Sequence, residues 1–199
     1  MSDTAAMTRR CGKRVTVKPL KPHTEPRTDD HVRPGTLRSP PLAADLGLLL
    51  LRLTVGLILA GHGAQKLFGI FGGHGLAATG KGFAALGYRP GEFFACLAGV
   101  SEFLGGLGLA VGLLTPLAAA ALIGVMINAM AVSAPHGLWS TTGGIEYPLT
   151  IAVVALAVAA TGPGRFALDR PFRWGHGGLG SAAFALVAGG VGAAIVLAL

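Results

Sequence analysis

The segment at residues 48–71, LLLLRLTVGLILAGHGAQKLFGIF, constrains the fold more than any other part of the chain. About 20 apolar residues in a helix cross the hydrocarbon core of a bilayer, and this run is long enough. Yet it carries Arg52 near its start and His62, Gln65 and Lys66 near its end. His62 and Lys66 are four residues apart and share one helical face, with Gln65 beside them. Arg52 lies fourteen residues before Lys66, close to four turns, and falls on roughly the same stripe. Ionisable groups are costly in hydrocarbon and normally face a bundle interior or a cavity. The chain must therefore supply further helices to cover this face.

Composition agrees. Of the 199 residues only 13% are charged, where soluble domains carry about 25%. The mean hydropathy is +0.63, and the apolar runs recur after residue 41. Many of the 32 glycines lie inside those runs, where small residues let helix backbones approach closely in a membrane. The net charge of +7 is not a nucleic-acid signal, because nine of the 16 Lys and Arg lie in the first 41 residues. A cytoplasmic flank beside anionic lipid accounts for them. Cys11 and Cys96 form no CxxC and no Cys/His spacing, so neither a disulfide framework nor a structural zinc site is indicated.

Three segments follow: a disordered basic cytoplasmic tail at 1–41, a four-helix membrane core at 42–170, and a loop with a fifth transmembrane helix at 171–199. The tail is polar and proline-rich, does not read as a secretory signal, and contains Met7 as an alternative start. The fold class is an all-α membrane protein, a four-helix transmembrane bundle with an added C-terminal span. The expected helices cover 44–67, 92–114, 115–134, 146–161 and 180–199. Residues 69–91 read as a glycine-rich loop. Thr115-Pro116 reads as a cap followed by a first-turn proline. Gly108 and Gly112 read as a small-residue packing pair. Lys and Arg concentrate in the tail and in 162–178, which places the N-terminus in the cytoplasm.

Depth, at about 1.5 Å per residue, sorts the polar groups. His62, Gln65, Lys66, Asn128, His136 and Glu146 fall in the outer half, and Glu102 falls near the middle. A carboxylate there must be protonated, paired or solvated, with His62, Lys66 or Arg52 as partner. Each of the others also has a plainer role: Glu146 complements a helix dipole, Lys66 snorkels to headgroups, His136 sits in a loop, Asn128 bonds between helices and Arg52 anchors the inner end. His62, His136 and Glu146 suit a metal chemically but form no motif, so no metal is expected.

The pieces LLLRLTVGLILAGHGAQKLFG at 49–69, SEFLGGLGLAVGLLTPLAA at 101–119, the residues around Asn128, HG at 136–137, GIEYPL at 144–149 and GPGRFALD at 162–169 resemble the DoxX family of small bacterial membrane proteins. The family pattern closes with a serine where this chain has Ala167. The resemblance implies a multi-pass protein of the bacterial plasma membrane, with membrane lipid and protein subunits as partners. It also implies redox work with quinone as the cofactor. In that reading His62 or Lys66 hydrogen-bonds a quinone carbonyl, with Gln65, Asn128 and His136 beside it. Glu102 or Glu146 exchanges the accompanying protons. The chain shows no electron-carrier motif, so a partner or the substrate supplies electrons. The competing readings are a non-catalytic scaffold for a peripheral enzyme, resting on the basic tail, and a small transporter using Glu102. Homo-oligomerisation is compatible with all three.

Overall fold

The computed structural model describes residues 42–199; the tail expected at 1–41 lies outside them. Six helices follow: α1 Leu42–Phe68, α2 Gly75–Ala85, α3 Gly91–Val111, α4 Thr115–Ser133, α5 Glu146–Thr161 and α6 Leu179–Ala198. There is no strand among the described residues. The protein is an all-α membrane protein. α1, α3, α6, and α4 with the 3-10 turn that carries it to His136, are each long and apolar enough to cross a bilayer. Their outward faces carry side chains that belong in lipid: Leu50 is 68% exposed and Val187 63%.

The helix expected at 146–161 is α5. Its 16 residues rise roughly 24 Å, less than the ~30 Å hydrocarbon thickness. It is a short apolar helix that ends at Gly162, whose φ is +83°. The fifth expected helix is α6, docked along α4. The supposed loop at 69–91 contains α2. The sequence GLAATGKGFAA looks like loop because of Gly80 and Gly82, but Gly80 has a packing role. A Cβ there would run into Glu92, because α2 crosses the start of α3 at this point.

α4 is central. Its Leu122, Ile123 and Met126 are buried together with Leu59, Leu109, Ile151, Val158 and Ala185 from four other helices. α1 packs mainly on α3. A Cβ at Gly56 would meet the Gly106 carbonyl, and one at Gly63 would meet the Phe103 amide. The close crossing therefore uses these glycines and not the expected pair. Gly112 instead ends α3 in the left-handed conformation, at φ +66°, and Gly108 faces Ala118. Gly106→Ala is expected to cost about 1–3 kcal/mol, the usual penalty of overpacking. Gly61→Ala, where the added carbon meets nothing, should leave the unfolding temperature unchanged. Thermal unfolding of the two variants side by side checks this.

The end of the bundle where α1 begins, here called basal, is held by the segment GPGRFALD. Arg52 is wholly buried. Its Nη1 donates to the carbonyls of Ala110 (3.3 Å) and Leu109 (3.5 Å), and its Nη2 donates to that of Phe166 (3.1 Å). The last carbonyls of a helix have no partner within it, and a cation suits that end of the dipole. Arg52 thus closes α3 and ties the 162–169 segment to it, as the plainer reading of this residue has it. Asp45 accepts the Arg165 amide at 3.0 Å.

The start of α4 is capped differently from expectation. Leu114 occupies the cap position at φ +48°, and Thr115 is already helical. The cap comes from Asp169, whose carboxylate accepts the amides of Leu114 (2.8 Å) and Thr115 (2.6 Å) and the Trp174 indole (3.0 Å). Burial alone would raise the Asp169 carboxyl. The hydrogen bonds from Thr115, Leu114 and Trp174 outweigh that and hold it below its ordinary value. Its contribution to stability is therefore complete above the ordinary carboxylate pKa and is lost as pH falls through the lower folded value. Asp169→Ala should cost about 1–2 kcal/mol. The gap from wild type should stay constant through neutral pH and close only below about pH 4, as denaturant unfolding at two pH values would show.

Candidate functional site

The opposite, distal end holds most of the remaining polar groups. Lys66 lies in the last turn of α1 and Glu102 lies midway along α3. The glycine-mediated approach of these helices lets the lysine stem lie beside Gly99 and brings its Nζ to 2.5 Å from the Glu102 Oε2. The Glu102 side chain is 6% exposed and that of Lys66 26%. Burying a lone carboxylate is very costly, and a hydrogen-bonded cation offsets the cost. The candidate partners for Glu102 thus reduce to Lys66 among the described residues. Arg52 is engaged at the basal end, and the His62 ring meets the Tyr147 ring edge-on at 5.9 Å.

Beside this pair is a cavity of about 530 Å³, within the range of small-ligand sites. α3 and α6 both pack on α4 but scarcely touch each other. The space between them, floored by α4, is the cavity. Its lining is mostly apolar: Phe94, Leu97, Ala121, Val125 and Ala193 are representative. Lys66, Tyr88, Ser101, Glu102, Asn128 and Ser133 supply polar groups. Asn128 is oriented by donating its Nδ2 to the Gly124 carbonyl at 3.0 Å, which leaves Oδ1 toward the Tyr88 hydroxyl, 3.4 Å away. Burial pushes the Tyr88 phenol up, so it stays a donor at neutral pH. The cavity therefore offers an ammonium as donor, a carboxylate as proton acceptor, and a phenol whose proton is held by a fixed amide.

The seven site residues expected from the sequence divide. Lys66, Glu102 and Asn128 line this cavity. His62 does not; it lies one turn before Lys66, against Tyr147. Gln65 donates to the Phe71 carbonyl at 2.9 Å and holds the turn after α1. Glu146 accepts the Ser140 amide at 2.9 Å, and the His136 carbonyl accepts the Thr142 hydroxyl at 2.8 Å. Both belong to the folded loop between α4 and α5. No group of three or more His, Cys, Asp or Glu is placed to hold a metal among the described residues. Tyr88 and Ser101 were not foreseen. Ser101 stands next to Glu102 in sequence, and Tyr88 precedes the Arg89-Pro90 helix start; neither position alone signals a cavity.

A family model described as DoxX matches residues 47–135, which run from α1 through α4. An uncharacterized membrane protein of Mycobacterium tuberculosis (strain ATCC 25618 / H37Rv), Rv3486, is 29% identical over 134 residues, covering 62% of this chain and 79% of that protein. No solved structure matches significantly.

Proposed function

We propose, on the premise that this chain carries a DoxX domain at residues 47–135, that it is a quinone-binding subunit of a membrane redox complex. The observation that carries the reading is a buried carboxylate paired with a partly covered ammonium, Glu102 and Lys66, on a mostly apolar cavity of ligand size. A quinone needs an apolar slot for its ring, donors for its carbonyls, and a proton source that works in hydrocarbon. Lys66 donates to a carbonyl with the ammonium protons it does not give to Glu102, while Tyr88, its proton given to Asn128, lines the ring. Glu102, held ready by Lys66, passes protons as the ring takes up two electrons and two protons to become a quinol. The electrons come from a partner subunit. Asn128 positions Tyr88. Arg165 and Arg170 in the 162–178 loop support a cytoplasmic basal end in the plasma membrane.

Binding of a decyl-substituted benzoquinone to the protein in nanodiscs tests the proposal. Wild type should bind it saturably. Asn128→Leu should weaken binding about tenfold, because it removes the hydrogen bond that holds Tyr88 at the cavity. His62→Ala should change it less than about twofold, since His62 faces Tyr147. No saturable binding by folded wild type, or a loss confined to His62→Ala, would overturn the assignment.

A further inference from the structure

The cavity also has an open side. Its rim on the outside of the bundle includes Leu97 of α3 and Leu117 of α4, which line it and are 41% and 54% exposed. An exposed apolar rim on a membrane helix faces hydrocarbon, not water. Opposite α3, the α6 side of the space contains Gly192. This residue lines the cavity, is exposed, and has nothing within 4 Å of where a Cβ would stand. Its neighbour one turn back, Gly189, is packed tightly against α4. The gap at Gly192 is therefore kept open while the helix around it is firmly docked.

Resting on the quinone reading, we propose that the ligand is a long-chain one that enters sideways from the bilayer. Its head group stops against Lys66 and Glu102, and its hydrocarbon chain runs out between α3 and α6 past Gly192. About 530 Å³ holds a ring but not a ring with a long chain. The polar groups come from α1, α3, α4 and Tyr88, while the α6 side of the opening contributes only apolar residues. An amphipathic molecule delivered from lipid matches that division, and a small water-borne substrate does not.

The test uses two probes on the full-length protein in nanodiscs: a chainless benzoquinone and the same ring with a decyl chain. The variants are Gly192→Leu and, as control, Gly190→Leu. Gly190 is on the same helix, has open space around it and does not line the cavity. Gly192→Leu should weaken the decyl probe at least about tenfold, as forced overpacking does, and leave the chainless probe within about twofold. Gly190→Leu should affect neither. Equal loss of both probes, loss of neither, or equal loss of the decyl probe in both variants would overturn the lateral exit while leaving the quinone site standing. Failure of wild type to bind either probe would overturn both.

Discussion

Arg52→Ala is expected to abolish stable folding, the largest effect of any single substitution in the described residues. Arg52 is wholly buried and serves three carbonyls on two segments far apart in sequence. Its removal leaves the Ala110 and Phe166 oxygens without this donor, at about 1–3 kcal/mol each when buried, while Leu109 keeps the Gly112 amide. It also leaves a hole where the guanidinium packed against Gly112. Against a typical stability of about 5–15 kcal/mol, that sum is a large share of the total. Arg52→Lys keeps the charge but not the planar fork that reaches both α3 and Phe166, so it should fold with reduced stability. Yield of monodisperse protein and thermal unfolding of the variants check the order: wild type, then Lys, then Ala. An Arg52→Ala protein as stable as wild type would show that the basal clamp contributes little.

The second large effect lies at Lys66 and Glu102, where the two single substitutions should be worse than the double. Lys66→Met leaves a carboxylate buried with no cation, at a cost of about 3–5 kcal/mol unless it takes up a proton. Glu102→Gln leaves an ammonium that is only partly covered, so its cost should be smaller. The double variant removes both charges and should recover most of the loss. Ligand binding should follow a different pattern. It should fall in all three variants, because the donor and the proton carrier are both gone in the double. A double variant that regains stability and also regains binding would show that the pair is structural only.

The architecture was largely legible in the sequence, for reasons tied to particular residues. The five apolar runs begin and end within a few residues of α1, α3, α4, α5 and α6, since Pro90, Pro116 and the Gly162-Pro163 break punctuate them. Of the expected stripe, Arg52 and Lys66 reach α3, while His62 meets Tyr147 of α5. α2 was hidden because Gly80 and Gly82 lower its helical signal, while the reason for Gly80 is a tertiary contact with Glu92. The cap on α4 could not be read locally because it comes from Asp169, 54 residues after Thr115. The site was half legible. Spacing and depth singled out Lys66, Glu102 and Asn128, but the partner of Glu102 depends on the register of α1 on α3. That register is set by Gly56, Gly63 and Gly106, whose role only the packing reveals. Depth alone also gathered Gln65, His136 and Glu146 into one layer. Within that layer they hold turns and a loop.

The proposed quinone head group lies between α3, α4 and α6 beside Lys66 and Glu102. The most direct measurement is photolabelling of the protein in nanodiscs with an azido-quinone carrying a long chain, followed by peptide mapping. Label should concentrate on Tyr88, on α3 around Ser101 and on α4 around Asn128, and excess unlabelled decyl-quinone should remove it. Label confined to the outer faces of α1 or α5, or label that no competitor displaces, would contradict it.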